Sequence, residues 1–168
     1  MTDAYDEIPR EADERATLTA FLDWQRGTLM RKCAGLNDAQ LRERAIPPST
    51  LSLLGLVRHL ADVERWWFRI GMDEEPIELV YSTDGDEDGD FDNLDAHDAR
   101  TVMADWEAEC ERSRAITAAH SLEDKGKNRN NARVMSLRWT LLHMIEEYSR
   151  HNGHADLLRE RIDGAVGY

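Results

Sequence analysis

No stretch of this chain is apolar for more than a few residues, so nothing in it is long enough to span a bilayer. The N-terminal segment MTDAYDE lacks the basic and apolar regions of a secretory signal. Cysteine is scarce as well. Cys33 and Cys110 lie far apart and form no CxxC or zinc-finger spacing, which leaves them as buried or half-buried free thiols. Positive charge is in short supply, with 21 Lys and Arg against 34 Asp and Glu. The resulting −13 repels phosphate and argues against nucleic acid or an anionic membrane as a partner. Internal repeats and low-complexity tracts are missing, and strand-like alternation is confined to one short piece. These absences point to a cytoplasmic protein, and 168 residues suit one domain, 1–168, with its own core.

What is present is helical periodicity, in four segments. The first runs from about Glu11 to Ala34, with Leu18, Phe21, Leu22, Leu29 and Met30 as its apolar face and Gly35 beyond its end. Asn37 then caps a short turn. Pro47-Pro48 breaks the chain, and Ser49 or Thr50 caps a second helix reaching Ile70. From Gly71 to Asp95 the sequence is an acidic loop, interrupted by Pro76 and by the β-like piece Ile77–Tyr81. A third helix spans about Ala96 to Ala119. The polar stretch Glu123–Asn131 connects it to a fourth, from near Ser136 to about Arg161, ended by Gly164 and Gly167. Long helices with few strand signals predict an all-α fold, a four-helix bundle with a long acidic loop between helices two and three.

The fourth helix carries an unusual polar stripe. His143, Glu147, His151 and His154 are spaced by four, four and three residues, an arc of roughly 80° on a helix. A structural stripe would be apolar, and a solvated one would be Lys, Glu and Arg. Imidazoles and a carboxylate on one face suit a divalent metal, and residues four apart can clasp one ion. His59, in the apolar stripe of the second helix, is either a hydrogen-bonded core histidine or the missing ligand. If helices two and four pack side by side, His59, Glu147 and His151 close a triad fit for Zn²⁺, Ni²⁺ or Fe²⁺, with positions left open for water or substrate. His143 and His154 are then outer or alternative ligands, and His97 and His120 lie at the surface.

Trp66, Trp67 and Trp139 either wall a pocket or fill the core. Arg58 and Arg150 either hold a substrate carboxylate or form exposed ion pairs. A second metal motif competes: residues 84–95, DGDEDGDFDNLD, follow the EF-hand pattern, with oxygens at loop positions one, three, five, nine and twelve and glycine at six. Its twelfth residue is Asp95 instead of Glu, its eighth is Phe91, and no helix leads into it. A solvated acidic loop is the plainer reading.

Two segments carry a family resemblance: LLGLVRHLADVERWWF, residues 53–68, and SLRWTLLHMIEEYSRHNGHADLLR, residues 136–159. Together they resemble the DinB-like metalloprotein superfamily, particularly its branch labelled mini-circle protein. The resemblance implies a four-helix bundle holding a divalent ion through one histidine of helix two and two residues of the last helix. Many members have histidine at both helix-four positions. Here Glu147 stands at one of them, similar to mycothiol-dependent maleylpyruvate isomerases, whose triad is also His, Glu, His. After His151 the chain has Asn-Gly-His where others often have Arg-Gly-Gln.

The resemblance further implies a thiol-dependent transferase or isomerase, using a low-molecular-weight thiol such as mycothiol and a small electrophile, in a chain that forms a homodimer. An ion with an open position favours thiolate over thiol, which fits that chemistry. Metal-assisted hydrolysis and a non-catalytic, metal-binding stress-response protein are the alternatives.

Overall fold

The computed structural model describes residues 8–127 and 133–167. The segment 1–7, which bears on the absence of a secretory signal, lies outside the described residues, as does the middle of the Glu123–Asn131 connector. Four long helices form the bundle: α1 (Glu14–Cys33), α3 (Leu53–Glu64), α5 (Ala99–Ala119) and α6 (Leu137–Asp163). Two short ones, α2 (Asp38–Arg42) and α4 (Gly89–Asp92), sit in the connections. Helix α1 packs on α6, α3 on α5, and α3 also meets α6. No helix among the described residues is long and apolar enough to cross a membrane.

Capping chemistry sets most of the boundaries. Asp13 accepts from the N–H of Ala16 and starts α1, three residues later than the periodicity alone suggests. Asn37 and Gln40 form a reciprocal capping box at α2. The expected caps of α3, Ser49 and Thr50, are both passed over in favour of Ser52, whose Oγ accepts from Gly55 N at 3.1 Å. Ser49 is committed to the turn after the proline pair, where its N–H donates to Ile46 O at 2.9 Å. Ser136 caps α6, and Gly164, at φ 80°, ends it in the left-handed region that favours glycine.

The second helix does reach Ile70, but its last six residues, Arg65–Ile70, wind as a π-helix. Such turns are rare and concentrate at functional sites. Gly71 closes this one, its N–H donating to Trp66 O at 2.9 Å; a Cβ there would lie 2.7 Å from Trp67 O. The polar connector also differs from expectation. Its ends pair as a two-stranded antiparallel ribbon, β1 (Lys125–Lys127) with β2 (Val134–Ser136). The ribbon docks on the π turn through Lys127 N–H to Gly71 O at 2.8 Å.

The acidic loop is folded onto α3. The β-like piece is not a strand; its end is instead pinned by buried Asp62, whose carboxylate accepts the N–H groups of Val80, Tyr81 and Ser82 at 2.8, 2.8 and 2.9 Å. Within α3 every residue is buried except His59 and Val63, so the helix touches solvent through one narrow window.

On another side of the same helix lies a polar cluster inside the core. Arg26 and Glu64 form a bidentate pair, Nε to Oε1 and Nη2 to Oε2, both at 2.7 Å. Tyr148 donates to Glu64 Oε1 at 2.8 Å, and Trp106 Nε1 donates to Tyr148 Oη at 2.9 Å. Burial opposes ionisation of Glu64, but the guanidinium of Arg26 outweighs it and holds the pKa below the ordinary value. Cys33 and Cys110 are both free and buried, as their isolation in sequence predicts.

Candidate metal centre

Three of the residues singled out from sequence meet where α3 and α6 face each other. His59 Nε2 lies 3.3 Å from Glu147 Oε1, and His151 Nε2 lies 3.2 Å from the same oxygen. One donor atom from each falls within 4.8 Å of the others, and among the described residues no other such group of His, Cys, Asp and Glu is found. The two short separations match the edge of a tetrahedron with metal–ligand bonds of ~2.0–2.1 Å, which is ~3.3 Å. All three side chains are largely sheltered, with exposures of 22%, 14% and 10% for His59, Glu147 and His151.

The outer nitrogens decide what these donors can do. His59 Nδ1 lies 2.7 Å from Oδ2 of buried Asp90. A carboxylate only accepts, so Nδ1 carries the proton, and in neutral His59 a lone pair sits on Nε2. That lone pair faces a lone pair of Glu147. Two acceptors at 3.3 Å repel unless a cation or a proton lies between them. His151 is arranged alike: its Nδ1 is 3.3 Å from His154 Nδ1, leaving Nε2 toward Glu147. The outer-sphere pattern, a carboxylate or imidazole fixing the tautomer of each ligating histidine, is that of metal sites.

The protonated alternative shows in the titration behaviour. Burial alone would lower the His59 pKa, but the hydrogen bonds to Asp90 and Glu147 outweigh it and push it up to about 9. The hydrogen bonds from His151 and His59 hold Glu147 well below the usual carboxylate range. An imidazolium between two carboxylates therefore occupies the place a divalent ion would take.

Asp90 escapes a sequence reading aimed at metal ligands. It sits at position seven of the EF-hand pattern, where the motif uses a backbone oxygen, so pattern matching discounts its carboxylate. The loop does not gather its carboxylates round a point. Asp90 serves His59, Asp92 pairs with Arg44 at 3.2 Å, Asp95 approaches Arg42 at 3.7 Å, and Asp86 accepts from Asn93. Residues 89–92 are helical, unlike the extended ligand run of an EF-hand. Phe91, awkward as an EF-hand residue, stacks on the His59 ring at 5.0 Å and packs against Gly55.

The remaining candidates separate. His154 is the outer partner of His151; burial and the neighbouring His151 and Arg150 lower its pKa, which keeps it an acceptor. His143 lies outside the group of three: its ring stacks on Trp139 and meets the edge of Trp67, with centroids 5.0 and 4.6 Å apart. His97 packs edge-on against Tyr81, and His120 is held by Asp73 at 2.8 Å.

Arg58 fits neither reading made of it. It is buried, donates to Gly89 O at 2.9 Å beside Asp90, and lays its guanidinium 4.8 Å over Tyr81. Arg150 is exposed and pairs with Glu146. Beside His59 opens a cleft of about 860 Å³, walled by Trp66 and Trp67. Trp139 is half exposed and touches Trp67 from outside the cleft, 5.3 Å between ring centroids.

With this geometry in place, comparison with protein families gives a clear result. The mycothiol S-transferase family model matches residues 17–164, and the chain belongs to that family, within the DinB-like superfamily. No individually curated protein matches it.

Proposed function

We propose that this protein is a metal-dependent S-transferase that joins a low-molecular-weight thiol of the mycothiol type to a small electrophile. Family membership supports the thiol and the transfer chemistry. The single observation that carries the metal is the convergence of two imidazole nitrogens on one carboxylate oxygen with both outer nitrogens already engaged. His59, Glu147 and His151 would hold the ion; neutral nitrogens with one carboxylate suit Zn²⁺, Ni²⁺ or Fe²⁺. When bound, a divalent ion supplies a positive charge that favours thiolate over thiol at neutral pH.

The chain's own residues do the rest. Asp90 fixes the His59 tautomer and ring plane, and Phe91 stops the ring from tilting. Arg58 and Asp62 hold the loop that carries Asp90. His154 fixes His151 in the same sense. The cleft beside His59 admits the second substrate, and its indole walls keep bulk water from much of the surface.

Elemental analysis of the wild type against Glu147→Ala and His151→Ala tests the centre. One equivalent of metal in the wild type and little in either variant is expected. Full occupancy in both variants would remove the proposed site. A screen pairing thiols with electrophiles then tests the reaction, and turnover with water alone would replace transfer by hydrolysis.

A further inference from the structure

The cleft beside His59 has a chemical character of its own. Two of its walls are indoles, Trp66 and Trp67. Trp67 packs on Trp139 and His143, whereas the half-buried indole of Trp66 has no ring or hydrogen-bond partner among the described residues. Its indole is available to a ligand. Among the described residues, the titratable lining consists of His59 and five carboxylates, those of Asp62, Glu78, Asp84, Glu87 and Asp90, with no lysine or arginine.

The lack of a cation in the lining has a structural cause, because arginines are plentiful in the same helical run. Arg65 is divided between the backbone O of Glu78 at 2.6 Å and the carboxylate of Glu109 at 2.7 Å, and Arg69 pairs with Glu75 and Glu109 at 2.6 and 3.0 Å. Arg58 is buried against Tyr81. Each lies within a few residues of the cleft wall, yet none of the three lines it. Two of the lining carboxylates are spoken for: Asp62 by three backbone N–H groups and Asp90 by His59. Asp84 and Glu87, exposed at the rim, make no ion pair or hydrogen bond among the described residues.

We propose that this cleft selects a cationic co-substrate, an electrophile bearing an ammonium or similar group, seated against Trp66 and drawn in by Asp84 and Glu87. An aromatic face with nearby carboxylates is the arrangement that recognises organic cations, through the ring quadrupole and through charge. Dicarboxylic substrates are disfavoured by the same groups. The charge at the centre would not oppose this: a divalent ion with the carboxylates of Glu147 and of Asp90, which is bonded to His59, would be formally neutral even without thiol, so the rim sets the field. The role assigned here, as opposed to the binding, rests on the transferase reading above. In the transfer itself the thiolate sulfur bonds to the electrophilic carbon, and the leaving group departs with the bonding pair. The cationic group is not consumed.

The test is a binding measurement, free of thiol and of reactive electrophile. Benzyltrimethylammonium, benzyl alcohol and phenylacetate, matched in their ring and different in charge, are titrated into the full-length protein by tryptophan fluorescence. The cation is expected to bind about tenfold more tightly than the alcohol, and the carboxylate most weakly. Asp84→Asn with Glu87→Gln should lower cation affinity about fivefold, and Trp66→Leu should do at least as much.

Because the whole protein is acidic, a control removes two exposed charges that do not line the cleft, Glu107→Gln with Glu160→Gln, and should leave affinity within about twofold. Equal binding of the three probes, or equal losses in the two double variants, overturns the proposal. Charge order without turnover of any thiol keeps the cation site and removes the transferase. Turnover without charge order does the reverse.

Discussion

Two glutamates, Glu64 on α3 and Glu147 on α6, each meet side chains of the other helix, and they teach opposite lessons. Glu64 is fully buried, and its oxygens are filled by donors: a bidentate guanidinium and a phenol. Nothing is left over, and the cluster is closed. Glu147 faces two imidazoles whose remaining protons are committed elsewhere, to Asp90 and to His154. Its set is short of one positive charge. The adjacent residue, Tyr148, serves the closed cluster, so consecutive residues of α6 divide between a structural network and a chemical one. Burial alone does not separate the two; donor balance does.

The contrast can be broken most forcefully at Glu64. Glu64→Ala leaves the buried Arg26 guanidinium with only the half-exposed Asp23 and should cost about 3 kcal/mol in urea unfolding, while metal per folded molecule stays at the wild-type level. Glu147→Ala should do the converse. Metal affinity falls at least about a hundredfold by chelator competition, whereas the metal-free protein loses only about 1 kcal/mol. A large stability loss at Glu147, or metal loss at Glu64, would mean that the two networks are not separate.

Asp90→Asn sharpens the comparison, since an amide oxygen can still accept from His59 Nδ1 but carries no charge. Metal affinity should weaken about 10- to 100-fold, with the loop still docked as judged by limited proteolysis.

A smaller effect comes from pH in the metal-free protein. His59 has a folded pKa raised to about 9 from 6.5, so its contribution is complete below pH 6.5 and is lost as pH rises through 9. Allowing for partial exposure, on the order of 2 kcal/mol should disappear across that window, and metal-loaded protein should not show the loss. Tyr148→Phe, removing one donor to Glu64, should cost about 1 kcal/mol and leave the metal untouched.

Much of the fold was legible from periodicity and caps. Asn37, Ser136 and Gly164 act where local chemistry places them, because a cap depends on residues only a few positions away. Ser52 displaced Ser49 because the turn after Pro47-Pro48 consumed the earlier serine. The π turn and the ribbon were not legible. Both depend on each other, Gly71 receiving Lys127 across a long gap in sequence. Arg58 was misread for a related reason: an arginine next to a candidate ligand looks functional, but its rotation about α3 carries it under the loop onto Tyr81.

The grouping of His143, Glu147, His151 and His154 on one face was fixed by the sequence alone, since helical geometry leaves no freedom once α6 forms. So were the acidic balance and the helical character of the chain. Which of those four would face His59, and which would turn to tryptophan, depended on how α3 and α6 rotate against each other in a packed core. The tertiary structure alone supplied Asp90. Its hydrogen bond to His59 spans 31 residues, and no local rule relates a carboxylate in a folded loop to an imidazole on a helix. Backbone propensity acts over a few residues, whereas the balance of protons and lone pairs is settled only where distant side chains meet.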